Sequence, residues 1–227
     1  MPRTTALLLF VTAALLSAPS AGATVPRLLG TVPLSASDRL ALPKWERVLR
    51  RIESERPVYR RCAAGDSECP DPLVREWQQL LNELRDQPRA RQLEAVNRFA
   101  NRNRYIVDPA NYGVNDYWAS PLEFLDRSGD CEDYAIFKYV SLRALGVPDE
   151  EMRIVVLRDT ERGIDHAVLA VHLGGRVLIL DNVTDSIRPD GAVPQYRPYY
   201  SVNATKRWVH VPSATPRPAG GGSTVQR

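Results

Sequence analysis

Cys131 is the residue whose type and position most invite chemistry. It lies in Gly129-Asp130-Cys131-Glu132-Asp133-Tyr134, just where a helical run begins. At the first turn of a helix, free backbone N–H groups and the positive end of the macrodipole favour a thiolate. The bland alternative is a small buried hydrophobe, a common fate of free cysteine. A nucleophilic thiol needs a base, and the histidines available are His166, His172 and His210. Gly174-Gly175 is a two-residue hairpin signal between the runs 166–173 and 176–183. Such a turn sets Leu173 opposite Arg176 and, carried back along the strands, His166 opposite Val183. Asp181, two residues from Val183, then shares a face with His166 as its diagonal neighbour, at roughly 7–8 Å between Cα atoms. His172 shares that face without a carboxylate across from it, and His210 stands near the C-terminus with no acid nearby. Cys131 as nucleophile, His166 as proton carrier and Asp181 as the group that orients the imidazole form an acyl-transfer triad.

Asp130, Glu132 and Asp133 crowd that thiol with carboxylates, which oppose its ionisation. Asp130 as an N-cap and Asp133 as the third residue of a capping box account for two of them and leave Glu132 spare. A bound cation held by Asp130, Glu132 and Asp133 would account for all three. All-oxygen ligands suit calcium rather than zinc, and the loop around Asn115 and Asp116 offers further oxygens. Helix capping and cation binding stand level on the residues alone.

The elements that must position these groups are legible in outline. Residues 43–55 place Trp45, Val48, Leu49 and Ile52 at helical spacing behind Pro43. A second helix opens at Asp71-Pro72 with Leu73, Trp77, Leu80, Leu81 and Leu84, and a third spans about 88–101. Residues 106–118 read as loop, and Ser120-Pro121-Leu122-Glu123 is a capping box opening a short helix. The helix from Asp130 to Gly146 is apolar on nearly every side, so it belongs at the centre of the fold. The period then drops to two, with strands expected over 152–158, 167–173, 177–180 and 207–211. Helices first and strands afterwards predict an α+β domain, a buried central helix against an antiparallel sheet.

Arg3 followed by the apolar run 6–16 and Ala21-Gly22-Ala23 reads as a cleavable export signal over 1–23, too short to span a bilayer. The domain is then expected over 24–211 and a disordered tail rich in Pro, Gly, Ser and Thr over 212–227. Net charge is +3, falling to +2 once Arg3 leaves with the signal, and no basic stripe carries aromatics, which argues against nucleic acid. Cys62 and Cys69 bracket a short turn-forming stretch and are expected to pair in an oxidising compartment, leaving Cys131 free, although sequence does not settle the connectivity.

The segments YGVNDYWASPLE (112–123), GDCEDYA (129–135), HAVL (166–169) and LDN (180–182) occur in one order and spacing. On these the chain, over about 101–211, resembles the bacterial transglutaminase-like cysteine proteinases of the LapG type. The resemblance implies a papain-like or transglutaminase-like fold with a Cys-His-Asp triad at Cys131, His166 and Asp181, and calcium ligands at Asp130, Glu132 and Asp133. It further implies a periplasmic, calcium-dependent endoprotease that clips the N-terminal region of a large surface adhesin and so promotes biofilm dispersal. An inner-membrane receptor for cyclic di-GMP would sequester it. Cys62, Cys69 and the Pro/Gly tail depart from that pattern. The motifs alone do not separate hydrolysis from acyl transfer to an amine, and a calcium-binding interaction module with an idle triad is the remaining alternative.

Overall fold

The structure, a computed structural model, describes residues 27–36, 42–65, 69 and 71–213. The expected signal over 1–23 lies outside the described residues, as does 214–227 of the expected tail. Pro212, placed in that tail by its composition, instead closes the last strand.

Strand β1 (Thr31–Ala36) precedes a helical half made of α1 (Pro43–Ala63), α2 (Pro72–Leu84), α3 (Arg89–Asn101), α4 (Asp108–Asn111), α5 (Pro121–Arg127) and α6 (Cys131–Ala144). The strands β2 (Met152–Asp159), β3 (Ile164–Leu173), β4 (Arg176–Asp181), β5 (Thr184–Pro189), β6 (Tyr196–Val202) and β7 (Arg207–Pro212) follow. They form one seven-stranded antiparallel sheet in the order β1-β7-β6-β2-β3-β4-β5. The α+β expectation holds, and the sheet is larger than foreseen by β1, β5 and β6.

Local chemistry explains most of the boundaries. Asp71 caps α2 by accepting from the N–H groups of Leu73 at 2.6 Å and Val74 at 3.3 Å. Ser120 and Glu123 close the capping box of α5. α1 runs eight residues beyond the expected 55, straight through Pro57. Proline in a helix forfeits one backbone hydrogen bond, and tertiary contacts outweigh that loss. Buried Glu55 accepts from Tyr59 Oη and Ser120 Oγ, each at 2.5 Å, and Tyr59 meets Trp77 edge-on at 5.1 Å. The end of α1 is tied by a Cys62–Cys69 disulfide, with Cys131 free, as expected.

α6 occupies the centre. Tyr134, Ala135, Ile136, Phe137, Tyr139 and Leu142 are buried between the other helices and the sheet. Phe137 gathers Trp77, Phe99 and Phe124 within 5.1–5.8 Å. The opposite face of the sheet has a second, smaller core of Leu28, Leu29, Val155, Leu157, Val168, Ala170, Ile179, Val193 and Tyr196. Both faces of β3 are therefore covered, which is why that strand reads as a continuous apolar run. β6 carries Pro198, which lacks an N–H, and the β2–β6 register slips there, between Val156 and Leu157. Among the described residues no helix is long and apolar enough to cross a membrane.

Candidate active site

Cys131 opens α6, half-buried, and its position depends on Gly129. A Cβ at Gly129 would stand 2.0 Å from Asp133 Oδ2, so only glycine fits beneath the helix tip. Asp133 spends both oxygens on backbone: Oδ2 accepts from Asp130 N–H at 3.0 Å and Oδ1 from Ala119 N–H at 2.6 Å. The second bond pins the loop before α5 to the tip of α6.

The hairpin has the expected register, Leu173 opposite Arg176 and Leu169 opposite Leu180. Beyond Leu169 the strands diverge, His166 pairing with Leu157 of β2 and Asp181 with Thr184 of β5. The diagonal relation survives: His166 Nε2 lies 3.0 Å from Asp181 Oδ1, both residues being buried. Burial pushes the Asp181 carboxyl up, but the hydrogen bond and charge of His166, then Tyr196 and Val183 N–H, outweigh it and bring it to about 2. An ionised carboxylate only accepts, so Nε2 carries the imidazole proton and Nδ1 is the nitrogen able to take another. α6, which Cys131 opens, packs against both strands of this hairpin.

Asp181 has a partner that sequence reasoning missed. Tyr196, at the start of β6, donates from its hydroxyl to Asp181 Oδ2 at 2.5 Å, with its ring 5.8 Å from that of His166. Oδ1 also accepts from Val183 N–H at 3.1 Å. His172 and His210 stand apart from this cluster. His210 bonds Thr31 Oγ1 at 2.7 Å and Ser201 Oγ at 2.8 Å, and burial brings it down to about 4. Burial, then the charge of Arg153, also lowers His172.

The helix-dipole expectation for the thiol does not prevail. Burial, followed by the charges of Glu132 and Asp130, pushes Cys131 well above the usual thiol range, against Ala167 N–H. The thiol itself lies 3.4 Å from Glu132 Oε2. Burial likewise raises Glu132 to about 10 and Asp108 to about 6, with neighbouring carboxylates adding to both shifts. Oxygens of Asp108, Asp130 and Asp133 lie within 4.8 Å of one another, as do those of Asp108, Asp116 and Glu132. Asp108 Oδ1 and Asp130 Oδ1 are buried with no hydrogen-bond partner. An all-oxygen set with orphaned acceptors fits a hard cation such as calcium. Asp108 was not foreseen; it enters from α4, more than twenty residues before the helix tip, with nothing in its local pattern to mark it.

A central helix opened by a cysteine, packed against an antiparallel sheet that carries a buried His–Asp pair, defines a transglutaminase-like α+β architecture. Residues 54–215 match the model of the bacterial transglutaminase-like cysteine proteinase family BTLCP, and the chain belongs to that family of cysteine proteases. LapG of Legionella pneumophila is 35% identical over 68% of this chain and 86% of its own, with a TM-score of 0.59. The calcium-bound form of LapG is 34% identical over 74% and 91%, and an EGTA-treated form is 35% identical over 68% and 84%, both at 0.59. No curated protein sequence matches the chain.

Proposed function

We propose that this LapG-type cysteine protease is a calcium-dependent endopeptidase exported to the periplasm, with Cys131 as nucleophile, His166 as general base and acid, and Asp181 as the orienting carboxylate. The observation that carries the reading is the 3.0 Å His166–Asp181 contact on a hairpin packed against α6, the helix that Cys131 opens.

In the reaction His166 Nδ1 takes the thiol proton, and the sulfur adds to the peptide carbonyl carbon. As the tetrahedral adduct collapses, the C–N bond breaks and His166 returns the proton to the leaving amine. A water, deprotonated by the same imidazole, attacks the thioester. The C–S bond then breaks, releasing the acid and restoring the thiol. Asp181, ionised and buried, holds the imidazole in its Nε2–H tautomer and stabilises the imidazolium at both proton transfers.

Calcium would supply positive charge that offsets the carboxylates beside the thiol. Asp108, Asp116, Asp130 and Glu132 would hold it, with Asp133 supporting from the helix tip. The two named forms of LapG, calcium-bound and EGTA-treated, support this reading. By family resemblance, the substrate is the N-terminal region of a large surface adhesin, whose release disperses a biofilm, and a cyclic di-GMP receptor of the inner membrane sequesters the enzyme.

The test is a digestion of such an N-terminal region by wild type and Cys131→Ala, in calcium and in EGTA, read by mass spectrometry. Two peptide products from wild type in calcium alone are expected. A crosslinked product would favour acyl transfer to an amine, and cleavage by Cys131→Ala would end the assignment.

A further inference from the structure

Tyr105 is used by neither the triad nor the acidic cluster, yet it is built into the nucleophile's surroundings. It forms a parallel bridge with Gly129, and the N–H of Ile106 donates to Gly129 O at 2.9 Å. The chain at 105–106 is thereby clamped beside the turn that delivers Cys131. The Tyr105 ring stacks on Tyr134, in the first turns of α6, at 6.3 Å and 24° between planes. The residue remains 50% exposed, open to whatever approaches the helix tip. Burial, then the charges of Cys131, Asp130 and Glu132, keep its phenol protonated well above the usual range. The charge of Arg162, from the turn between β2 and β3, partly opposes that shift.

A thiolate that adds to a carbonyl pushes an electron pair onto oxygen, and that oxyanion needs donors already in place. The backbone N–H of Cys131, in the first turn of α6, has no intrahelical acceptor and is one such donor. We propose that the Tyr105 hydroxyl is the other, a catalytic residue that donates to the oxyanion as the C–S bond forms and releases it when the carbonyl reforms. The phenol is neutral and clamped through backbone, so it needs no reorganisation at the moment of attack.

The inference rests on Cys131 as the nucleophile, and its test separates the two. p-Nitrophenyl acetate forms a tetrahedral oxyanion on reaction with the thiol, whereas iodoacetamide alkylates sulfur by displacement at carbon and forms none. In calcium, Tyr105→Phe should lower kcat/KM for p-nitrophenyl acetate by about 100-fold. Its iodoacetamide rate at Cys131 and its thermal midpoint should stay near wild type, since the ring stack on Tyr134 is kept. Wild-type esterase activity in Tyr105→Phe would overturn the proposal. An equal fall in both rates would also overturn it, by moving the effect to the thiol. Esterase activity that persists in Cys131→Ala would instead remove the nucleophile assignment on which the proposal stands.

Discussion

Asp108→Asn should make the calcium-free protein more stable. The Asp108 carboxyl is 1% exposed and is raised from 3.8 to about 6, by burial first and then by Asp130 and Asp116, against Tyr117 N–H and Lys44. For an acid with a raised folded pKa, stability is complete below the unfolded value. It falls as pH climbs from about 4 to about 6 and stays reduced above that. A shift of about two pH units at about 1.4 kcal/mol each makes the ionised Asp108 cost up to about 3 kcal/mol at pH 7. Asparagine removes the charge but keeps an oxygen for the Tyr117 N–H, which Asp108 Oδ2 now accepts at 2.5 Å. In a domain of this size that is a rise in Tm of roughly 6–12 °C. Thermal unfolding by circular dichroism in EGTA at pH 7.5 and pH 4.5 reads it directly. The gain should appear at the higher pH and shrink at the lower. Saturating calcium should stabilise wild type more than the variant, because wild type has more repulsion to relieve. A variant no more stable than wild type in EGTA, or equally shifted at both pH values, would refute the argument.

Other substitutions probe the rest of the site. Cys131→Ala and His166→Ala should abolish cleavage with the fold intact, and Asp181→Asn should lower kcat by several orders of magnitude through the wrong imidazole tautomer, all read in a peptide-cleavage assay. Tyr196→Phe removes one donor from the buried Asp181 carboxylate and should cost about 2 kcal/mol in urea unfolding at pH 7. Because the folded Asp181 value is depressed, that cost should fade as pH falls from about 4 towards 2. Glu132→Ala should need far more calcium for activity with helix content unchanged, as measured by titration from EGTA. Reduction of Cys62–Cys69, seven residues apart, should cost about 2–3 kcal/mol of stability and leave kcat largely in place.

What could be read from the sequence was what local signals specify. The capping box at Ser120, the cap at Asp71, the all-round apolar helix α6 and the Gly-Gly hairpin each lie within a few residues of their cause. His166 and Asp181 come together because the hairpin register is itself local. β5 escaped because it is a polar edge strand, Thr-Asp-Ser-Ile-Arg-Pro, and β1 and β6 because Pro33 and Pro198 interrupt the usual strand pattern. The length of α1 was hidden by Pro57, whose penalty is met by contacts with α2 and α5. Tyr196, Tyr105 and Asp108 reach the site from distant stretches with no period or cap to announce them. The opposition of the neighbouring carboxylates to ionising Cys131 was legible beside the helix dipole, whereas the desolvation of the thiol, the largest effect, was not.

The turn at Gly174-Gly175, with both residues at positive φ of 57° and 75°, faces away from the chemistry and has open space around it. Surface turns of this kind ordinarily absorb insertions. This one is a ruler. One added residue would advance β4 by a single position against β3 and turn Asp181 to the opposite face of the sheet, severing it from His166. Two added residues would return the carboxylate to the correct face but carry it about 7 Å along the strand, beyond reach of the imidazole. The parity and length of an exposed loop thus set the geometry of a buried base, and an engineer grafting a tag or sensor onto this protein should choose almost any other turn.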